Sequence, residues 1–480
     1  MEESLKQKTA NALAWTLADK FGQQLLAFGV GLVLARFYLS PDDYGLVGVI
    51  AIFMALGGIL LDSGFSNALV RKKNVTQADL SSVFYFNLSA GIFLYILIFF
   101  AAPLIADFYH EPRLITITRV AALTFLINPF TLIQWVKLTR DLNFKVITII
   151  GFISLFFSAT TGLSLAMNGF GVWALVYQSI TFLFVRTICF WAYTAWRPAR
   201  LFDKQSLKGL WGFSFNILMI SALNTVFNNL YTALIGRFHP LCAVGYYDRA
   251  DKLSALSAHS LSSALQTATY PILAKIGDEE ERFLRASRKI MRVAAFIVLP
   301  ALFGLSVMAE PLIRFLLTDK WIAIVPYLQK LSIAWAFITF MNLHNNLLYV
   351  KNKARTALYL ECGKKSLILL CALIAIPLNL SIAVTCLLAA HIVGFIISAV
   401  VVAKQAKYSI LSQFKDIFPY FCIAVIMATG VYCLSFCFKN NLTLIAVQLV
   451  SGASFYLVVA YLFGSNVLRD VMKMMRRKMK

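Results

Sequence analysis

Ionisable side chains inside otherwise apolar stretches are where the chemistry of this chain must lie. Asp19 and Lys20 stand in the first apolar stretch, and Asp62 stands in the second. A charge at mid-membrane depth costs at least ~2.5–3.5 kcal/mol, so each is a functional candidate by default. Counted along helices at about 1.5 Å per residue, Asp62 and Lys20 reach similar depths on the same side, where they can pair. Such a pair either stitches two helices together or takes part in function. Asp19 and Asp62 are candidates for coupling to H⁺ or Na⁺. Deeper toward the opposite side lie Arg36, Arg119, Arg237, Arg249, Lys252 and Lys330. Asp248 and Asp251 neutralise two of these, and Asp248–Lys252 is an i,i+4 pair in the favourable acid-first order. A surplus of cations remains. Arginine grips phosphate through two parallel hydrogen bonds, so a cavity lined by such residues suits a phosphate-bearing headgroup. The candidate anion-binding residues are Lys20, Arg36, Arg237, Arg249 and Lys330. Arg36, Arg113 and Arg237 sit near segment ends, where long cations also snorkel to lipid headgroups.

The uncharged polar residues follow the same logic. Asn224, Asn228 and Asn229 share one side of a helical segment, and so do Asn342, Asn345 and Asn346. Gln23, Gln24, Asn128, Gln134 and Gln178 also fall in apolar stretches. Together with Trp15, Trp211, Tyr231 and Trp335 they either line a sugar-binding path or join helices by amide contacts. His259 lies in a stripe with Ser257, Ser260, Ser262 and Ser263 that has the same two readings. Glu361 is placed to pair with Lys364 or Lys365, and His391 reads as a packing residue. Arg186 is an isolated cation that either faces a cavity or snorkels inward. No Walker A loop, HExxH, GxSxG or acidic metal motif occurs. The eight cysteines form no CxxC pair. Neither ATP hydrolysis nor glycosyl transfer is expected, and no cofactor or metal is implied.

The elements that must position these residues are membrane helices. The chain is 480 residues long, 60% hydrophobic and only 14% charged, with a mean hydropathy of +0.75. Fourteen apolar stretches of bilayer-crossing length run almost end to end. They fall near residues 13–37, 44–70, 80–102, 114–136, 146–167, 172–195, 210–238, 244–273, 293–308, 324–350, 357–378, 382–403, 417–438 and 442–463. The fold class is therefore an all-α polytopic membrane protein of about 14 transmembrane helices. Loops are short on both faces, the longest near Glu310–Trp321 outside and after Gly277 inside. The net charge of +22 belongs to those loops rather than to a nucleic-acid site. Of the 44 Lys and Arg, 32 lie on the side of the termini. Positive charge stays cytosolic, so both termini are expected in the cytosol. The tail carrying Arg469, Lys473, Arg476, Arg477 and Lys478 either lies on anionic headgroups or is a plain basic tail.

The first stretch closes on Arg36-Phe37 and is followed by Gly45. The seventh closes on Arg237-Phe238 and is followed by Gly245. The offset is about 200 residues, or six helices, the kind of internal repeat from which transporters are built. The expected organisation is a lobe at 1–205, a second at 206–405, an added helix pair at 406–463 and a basic tail at 464–480.

Three stretches carry a family resemblance. They are Ala35-Arg36-Phe37-Tyr38-Leu39-Ser40-Pro41-Asp42-Asp43-Tyr44-Gly45, Asp62-Ser63-Gly64-Phe65-Ser66-Asn67-Ala68-Leu69-Val70-Arg71 and Val244-Gly245-Tyr246-Tyr247-Asp248-Arg249-Ala250-Asp251-Lys252-Leu253. With the span pattern they make the chain resemble the Wzx-type lipopolysaccharide and exopolysaccharide flippases. These form the polysaccharide branch of the multidrug/oligosaccharidyl-lipid/polysaccharide exporter superfamily. The resemblance implies two six-helix lobes in a V shape plus two C-terminal helices, a cationic central cavity and alternating access. It implies a bacterial inner-membrane protein that moves undecaprenyl-pyrophosphate-linked repeat units outward. Membrane lipids, H⁺ or Na⁺, a polysaccharide polymerase and chain-length or export proteins are the expected partners. A drug exporter of the same superfamily would want surplus carboxylates instead, and a polymerase would want a large outer loop.

Overall fold

The computed structural model describes residues 15, 19, 21–62, 64–438, 440–462 and 467–469, apart from the side chains of Phe213, Asn216 and Ala268. Lys20 and most of the basic tail lie outside the described residues. The first helix, α1 (Phe21–Tyr38), ends in a five-residue π-helix, Leu34–Tyr38. Then come α2 (Pro41–Asp62), α3 (Phe65–Arg71), α4 (Gln77–Tyr109), α5 (Arg113–Ala121), α6 (Thr124–Arg140), α7 (Phe144–Met167) and α8 (Trp173–Tyr193). They are followed by α9 (Lys204–Phe238), α10 (Leu241–Lys275), α11 (Glu280–Val307), α12 (Ala309–Leu317) and α13 (Val325–Val350). The last are α14 (Ala354–Ala375), α15 (Leu380–Ala406), α16 (Ile410–Cys433) and α17 (Asn441–Leu462). No strand occurs among the described residues.

Each of the fourteen predicted stretches falls on a helix or on a pair of consecutive helices. Among the described residues twelve candidate spans, against the fourteen expected, are long and apolar enough to cross a membrane. The other two predicted stretches correspond to α10 and α14. Both are full-length helices, but Asp248, Arg249, Asp251 and Lys252 load one, and Glu361, Lys364 and Lys365 load the other. In α14 these charges lower the apolar character, whereas in α10 the uncharged stretch after Lys252 is made polar by its serines and threonines with His259 and Gln266. Two predicted loops are helical instead. The outer one contains α12, which turns Pro311, Ile313 and Leu317 inward. The inner one ends at Glu280, where α11 begins well before the expected span.

Packing divides the chain into two units, Met1–Gly245 and Tyr246–Lys480. In the first, α7 and α8 form a hairpin, and α9 packs on α2, α3 and α4. α9, at the start of the expected second lobe, packs within the first unit, where Gly64 lets it close in. A Cβ on Gly64 would come within 2.6 Å of the Ser214 carbonyl oxygen of α9. The core of this unit stacks Phe65, Phe84, Ile133, Val136 and Trp196. In the second unit α11 packs against α13 and α16, and α13 packs against α15. Its core runs through Phe283, Met291, Leu299, Phe340 and Leu347, and α16 adds Tyr420, Ile423 and Met427. The C-terminal pair contributes to this core.

Helix ends are fixed by local chemistry. Thr76 and Asp79 form a capping box at the start of α4, with Asp79 Nα–H donating to Thr76 Oγ1 (3.2 Å) and Thr76 Nα–H to Asp79 Oδ2 (2.9 Å). Asp79 is buried and also bonded by Lys72 Nζ at 2.8 Å. Asp203 caps α9. The Ser206 hydroxyl and nearby backbone amides hold its carboxyl below the usual carboxylate range. Arg140, at the end of α6, donates to the carbonyls of Leu69 (2.6 Å), Lys72 (2.5 Å) and Lys73 (3.0 Å) in the α3–α4 turn. Lys351, at the end of α13, donates to the carbonyl of Gly277 (2.7 Å) in the α10–α11 turn. The two cations stand at equivalent places of the proposed six-helix repeat. Arg140→Gln strips charge-assisted bonds from several carbonyls and is expected to cost about 2 kcal/mol. Thermal unfolding in detergent checks this, and an unchanged midpoint would contradict it.

Candidate functional site

The break between α2 and α3 organises the first unit. Gly64 adopts a left-handed φ of 71°, which a side chain would resist. Asp62 Oδ1 then accepts the backbone N–H of Ser66 at 3.2 Å and caps α3. Its carboxylate also borders a cleft of about 270 Å³ lined by Ser66, Asn67, Asn128, Thr131, Trp135 and Arg186. Asp62 and Arg186 face this cleft without forming an ion pair. Among the described residues the Arg186 guanidinium meets the rings of Phe182 (5.8 Å) and Phe190 (5.4 Å), and its buried Nε has no hydrogen-bond partner. Below it Thr131 and Thr187 bond to one another at 2.6 Å. Of the two readings open for Arg186, the geometry selects the cavity.

A second cleft, about 490 Å³, opens along the same α8. Gln23, Gln24, Ser158, Gln178 and Ser179 line it with Leu155, Leu175 and Phe182. Three of the amides singled out in the sequence therefore converge. Asp19 lies beside them, accepting from Gln23 Nε2 at 2.5 Å against Gly151 of α7. Polar groups thus follow α8 from Gln178 to Arg186.

The remaining candidates occupy other places. Arg36 is in the π-helical end of α1, its guanidinium 5.4 Å from the Phe37 ring centroid. π-Helical turns are rare and concentrate at functional sites. Arg237, at the end of α9, is bonded to His110 and lies 5.1 Å from the Phe108 ring centroid, half-exposed. Nearby, in the α4–α5 turn, Arg113 holds the Glu111 carboxyl below its usual range by direct hydrogen bonding. In the second unit, Arg249 is half-buried on α10 beside the expected Asp248–Lys252 pair, at 2.8 Å. Asp251 accepts from Trp335 Nε1 at 3.0 Å. Lys330 donates to the Ser381 hydroxyl (2.9 Å) and carbonyl (3.2 Å) at the start of α15.

The serine stripe of α10 and the amides of α13 work in part as helix joints. Ser254 meets Ser332 at 3.1 Å, and Asn342 Nδ2 is 3.5 Å from Ser262 Oγ. Asn345 Nδ2 donates to Glu361 at 2.7 Å, and Lys364 pairs with the same carboxylate as expected. His391 is bonded to the Leu387 carbonyl at 2.7 Å, a packing role. The sequence reading passed over His344, which is fully buried, bonded to Ser398 at 2.8 Å and stacked on Phe395. It also passed over Asp416. That residue accepts from Arg288 Nε (2.8 Å), Arg292 Nε (2.6 Å) and the Tyr408 hydroxyl (2.8 Å), and burial pushes the Tyr408 phenol up. No group of His, Cys, Asp and Glu suited to a metal ion occurs among the described residues.

This helical fold has counterparts among known structures. The fold is similar to that of the lipid II flippase MurJ in an inward closed conformation, at a TM-score of 0.75 and 16% identity over 96% of this chain and all of that one. It is also similar to an inward-facing multidrug resistance MATE family transporter of the MOP superfamily, at a TM-score of 0.60 and 14% identity over 81% of this chain and 96% of that one. The chain itself belongs to the polysaccharide biosynthesis protein family, whose model matches residues 33–326. Among its relatives is the teichuronic acid biosynthesis protein TuaB of Bacillus subtilis (strain 168), 27% identical over 83% of this chain and 84% of that protein. Another is the lipopolysaccharide biosynthesis protein WzxC of Escherichia coli (strain K12), 25% identical over 72% and 71%. A third is the succinoglycan biosynthesis transport protein ExoT of Rhizobium meliloti (strain 1021), 25% identical over 71% and 69%.

Proposed function

We propose that this chain is a flippase that carries lipid-linked oligosaccharide repeat units from the inner to the outer leaflet of the bacterial inner membrane, with both termini cytosolic. The observation that carries the reading is the Arg186 guanidinium, its buried Nε unsatisfied among the described residues, opening onto a polar cleft within membrane helices in a chain of the polysaccharide biosynthesis family. A sugar-pyrophosphate head cannot enter hydrocarbon without losing hydrogen bonds worth several kcal/mol each. Amides and cations along a helix replace those bonds while the prenyl tail stays in lipid. In this reading the passenger is undecaprenyl-pyrophosphate-linked. Arg249, Lys330 and Lys20 receive its phosphates, while Arg36 and Arg237 serve the outer headgroup level. Asp19 and Asp62 are the proposed sites for H⁺ or Na⁺, and a polymerase and chain-length or export proteins take the product onward.

Deleting the gene is expected to strand lipid-linked repeat units on the inner leaflet and to stop surface-polymer export. Arg249→Ala and Lys20→Ala are each expected to impair export severalfold while the protein remains inserted. Normal export from both variants would remove the anion-site assignment. Release of single repeat units from the null strain would point instead to a polymerising enzyme. Resistance to organic cations tracking expression would point to a drug exporter.

A further inference from the structure

The Arg186–Asp62 cleft has a composition that sorts anions. Its described lining holds one guanidinium and one carboxylate, and Asp19 is near enough to act on Arg186, so the cleft has no surplus of positive charge among the described residues. A pyrophosphate brings at least two negative charges and would meet Asp62 as well as Arg186. A sugar bearing a single carboxylate brings one charge for Arg186 and hydroxyl donors for Asp62. The other polar liners, Ser66, Asn67, Asn128 and Thr131, are neutral hydrogen-bonding groups of the kind that take ring hydroxyls, and Trp135 supplies an aromatic wall. At about 270 Å³ the cleft is just below the usual range of small-molecule pockets, ~300–1,000 Å³. That is room for about one sugar ring, not for a whole repeat unit. Arg186 Nε is buried, and no described residue satisfies it, so the group is already desolvated and waits for an acceptor.

We propose that this cleft is a selectivity subsite that reads an acidic sugar, a uronic-acid type of residue, within the lipid-linked repeat unit. Arg186 binds the sugar carboxylate, and Asp62 with Asn67 and Asn128 binds its hydroxyls. This rests on the reading of the chain as a lipid-linked oligosaccharide flippase and adds to it the class of sugar preferred. The subsite uses residues other than those assigned to the pyrophosphate, which both acidic and neutral passengers share.

The test uses the full-length protein and two probes. One is a polyprenyl-pyrophosphate disaccharide containing glucuronate, and the other is the same lipid with glucose in its place. Binding is measured in detergent, and movement is measured separately in proteoliposomes. The wild type is expected to bind the acidic probe about 10- to 100-fold more tightly, the worth of one charge-assisted hydrogen-bonded contact. Arg186→Gln should remove the preference, with a far larger loss of affinity for the acidic probe than for the neutral one, and retained binding of the neutral probe shows that the variant is folded. Arg186→Lys should keep part of the preference. Equal binding of both probes by the wild type would overturn the proposal. So would an equal loss for both probes in Arg186→Gln, since that places the side chain with the pyrophosphate or with folding. A binding preference without movement of either probe would leave the subsite standing and sink the flippase reading. Movement of both probes without a binding preference would do the reverse.

Discussion

Asp416→Ala is expected to lower stability by about 3–5 kcal/mol, the usual cost of removing one partner from a buried charge cluster. Asp416 is 2% exposed and serves three donors on two other segments, Arg288 and Arg292 of α11 and Tyr408 of the α15–α16 turn. Truncation leaves two guanidiniums against one another with no acid between them, and it orphans a buried phenol. Asp416→Asn keeps the shape and some acceptor capacity, so it should cost less. Tyr408→Phe removes one bond to a charged acceptor and should cost about 1.5–3 kcal/mol. Denaturation of the detergent-solubilised protein orders the three variants. If Asp416→Ala unfolded no earlier than Tyr408→Phe, the cluster would not be what ties α16 to α11.

The second large effect belongs to Gly45 and Gly245. A Cβ on Gly45 would stand 2.0 Å from the carbonyl oxygen of Leu241, and a Cβ on Gly245 would stand 2.0 Å from that of Pro41. Each glycine meets the backbone four residues before the other, so the first turns of α2 and α10 touch reciprocally. Neither obstacle is a side chain that can rotate away, so any substituent must push the two helices apart. Gly45→Ala and Gly245→Ala should each cost about 1–3 kcal/mol or more, as overpacking does. Because both methyl groups demand the same displacement, the double variant should cost clearly less than the sum. Gly58 lies in the same helix as Gly45 with nothing within 4 Å of its added Cβ, so Gly58→Ala should be neutral or slightly stabilising. Strict additivity, or a Gly58→Ala as harmful as Gly45→Ala, would contradict the reciprocal contact.

Those two glycines were legible in the sequence as an echo about 200 residues apart. The structure adds why they are glycines. The helices were legible too, because a backbone in hydrocarbon must satisfy its own hydrogen bonds and long apolar runs leave only one way to do so. Pairings across elements were harder. Asp248–Lys252 and Glu361–Lys364 were found because helical spacing sets them. Asp416 with Arg288 was missed because 128 residues separate them and no local period links the two. Asp62 was matched to Lys20 by depth, a pairing that lies outside the described residues, and its carboxylate caps α3 and borders a cleft with Arg186. Depth places residues on a level, but only helix rotation decides which of them face each other. Arg186 illustrates this best: a lone cation on a helix has two readings until its neighbours Thr131, Asn128 and Asp62 are seen around the same cleft.

The most direct measurement places purified protein in liposomes with a fluorescent undecaprenyl-pyrophosphate-linked oligosaccharide and follows its crossing between leaflets. The account predicts crossing well above that of protein-free vesicles, slowed by Arg249→Ala. Crossing no faster than in protein-free vesicles, whether or not a gradient of H⁺ or Na⁺ is imposed, would contradict it.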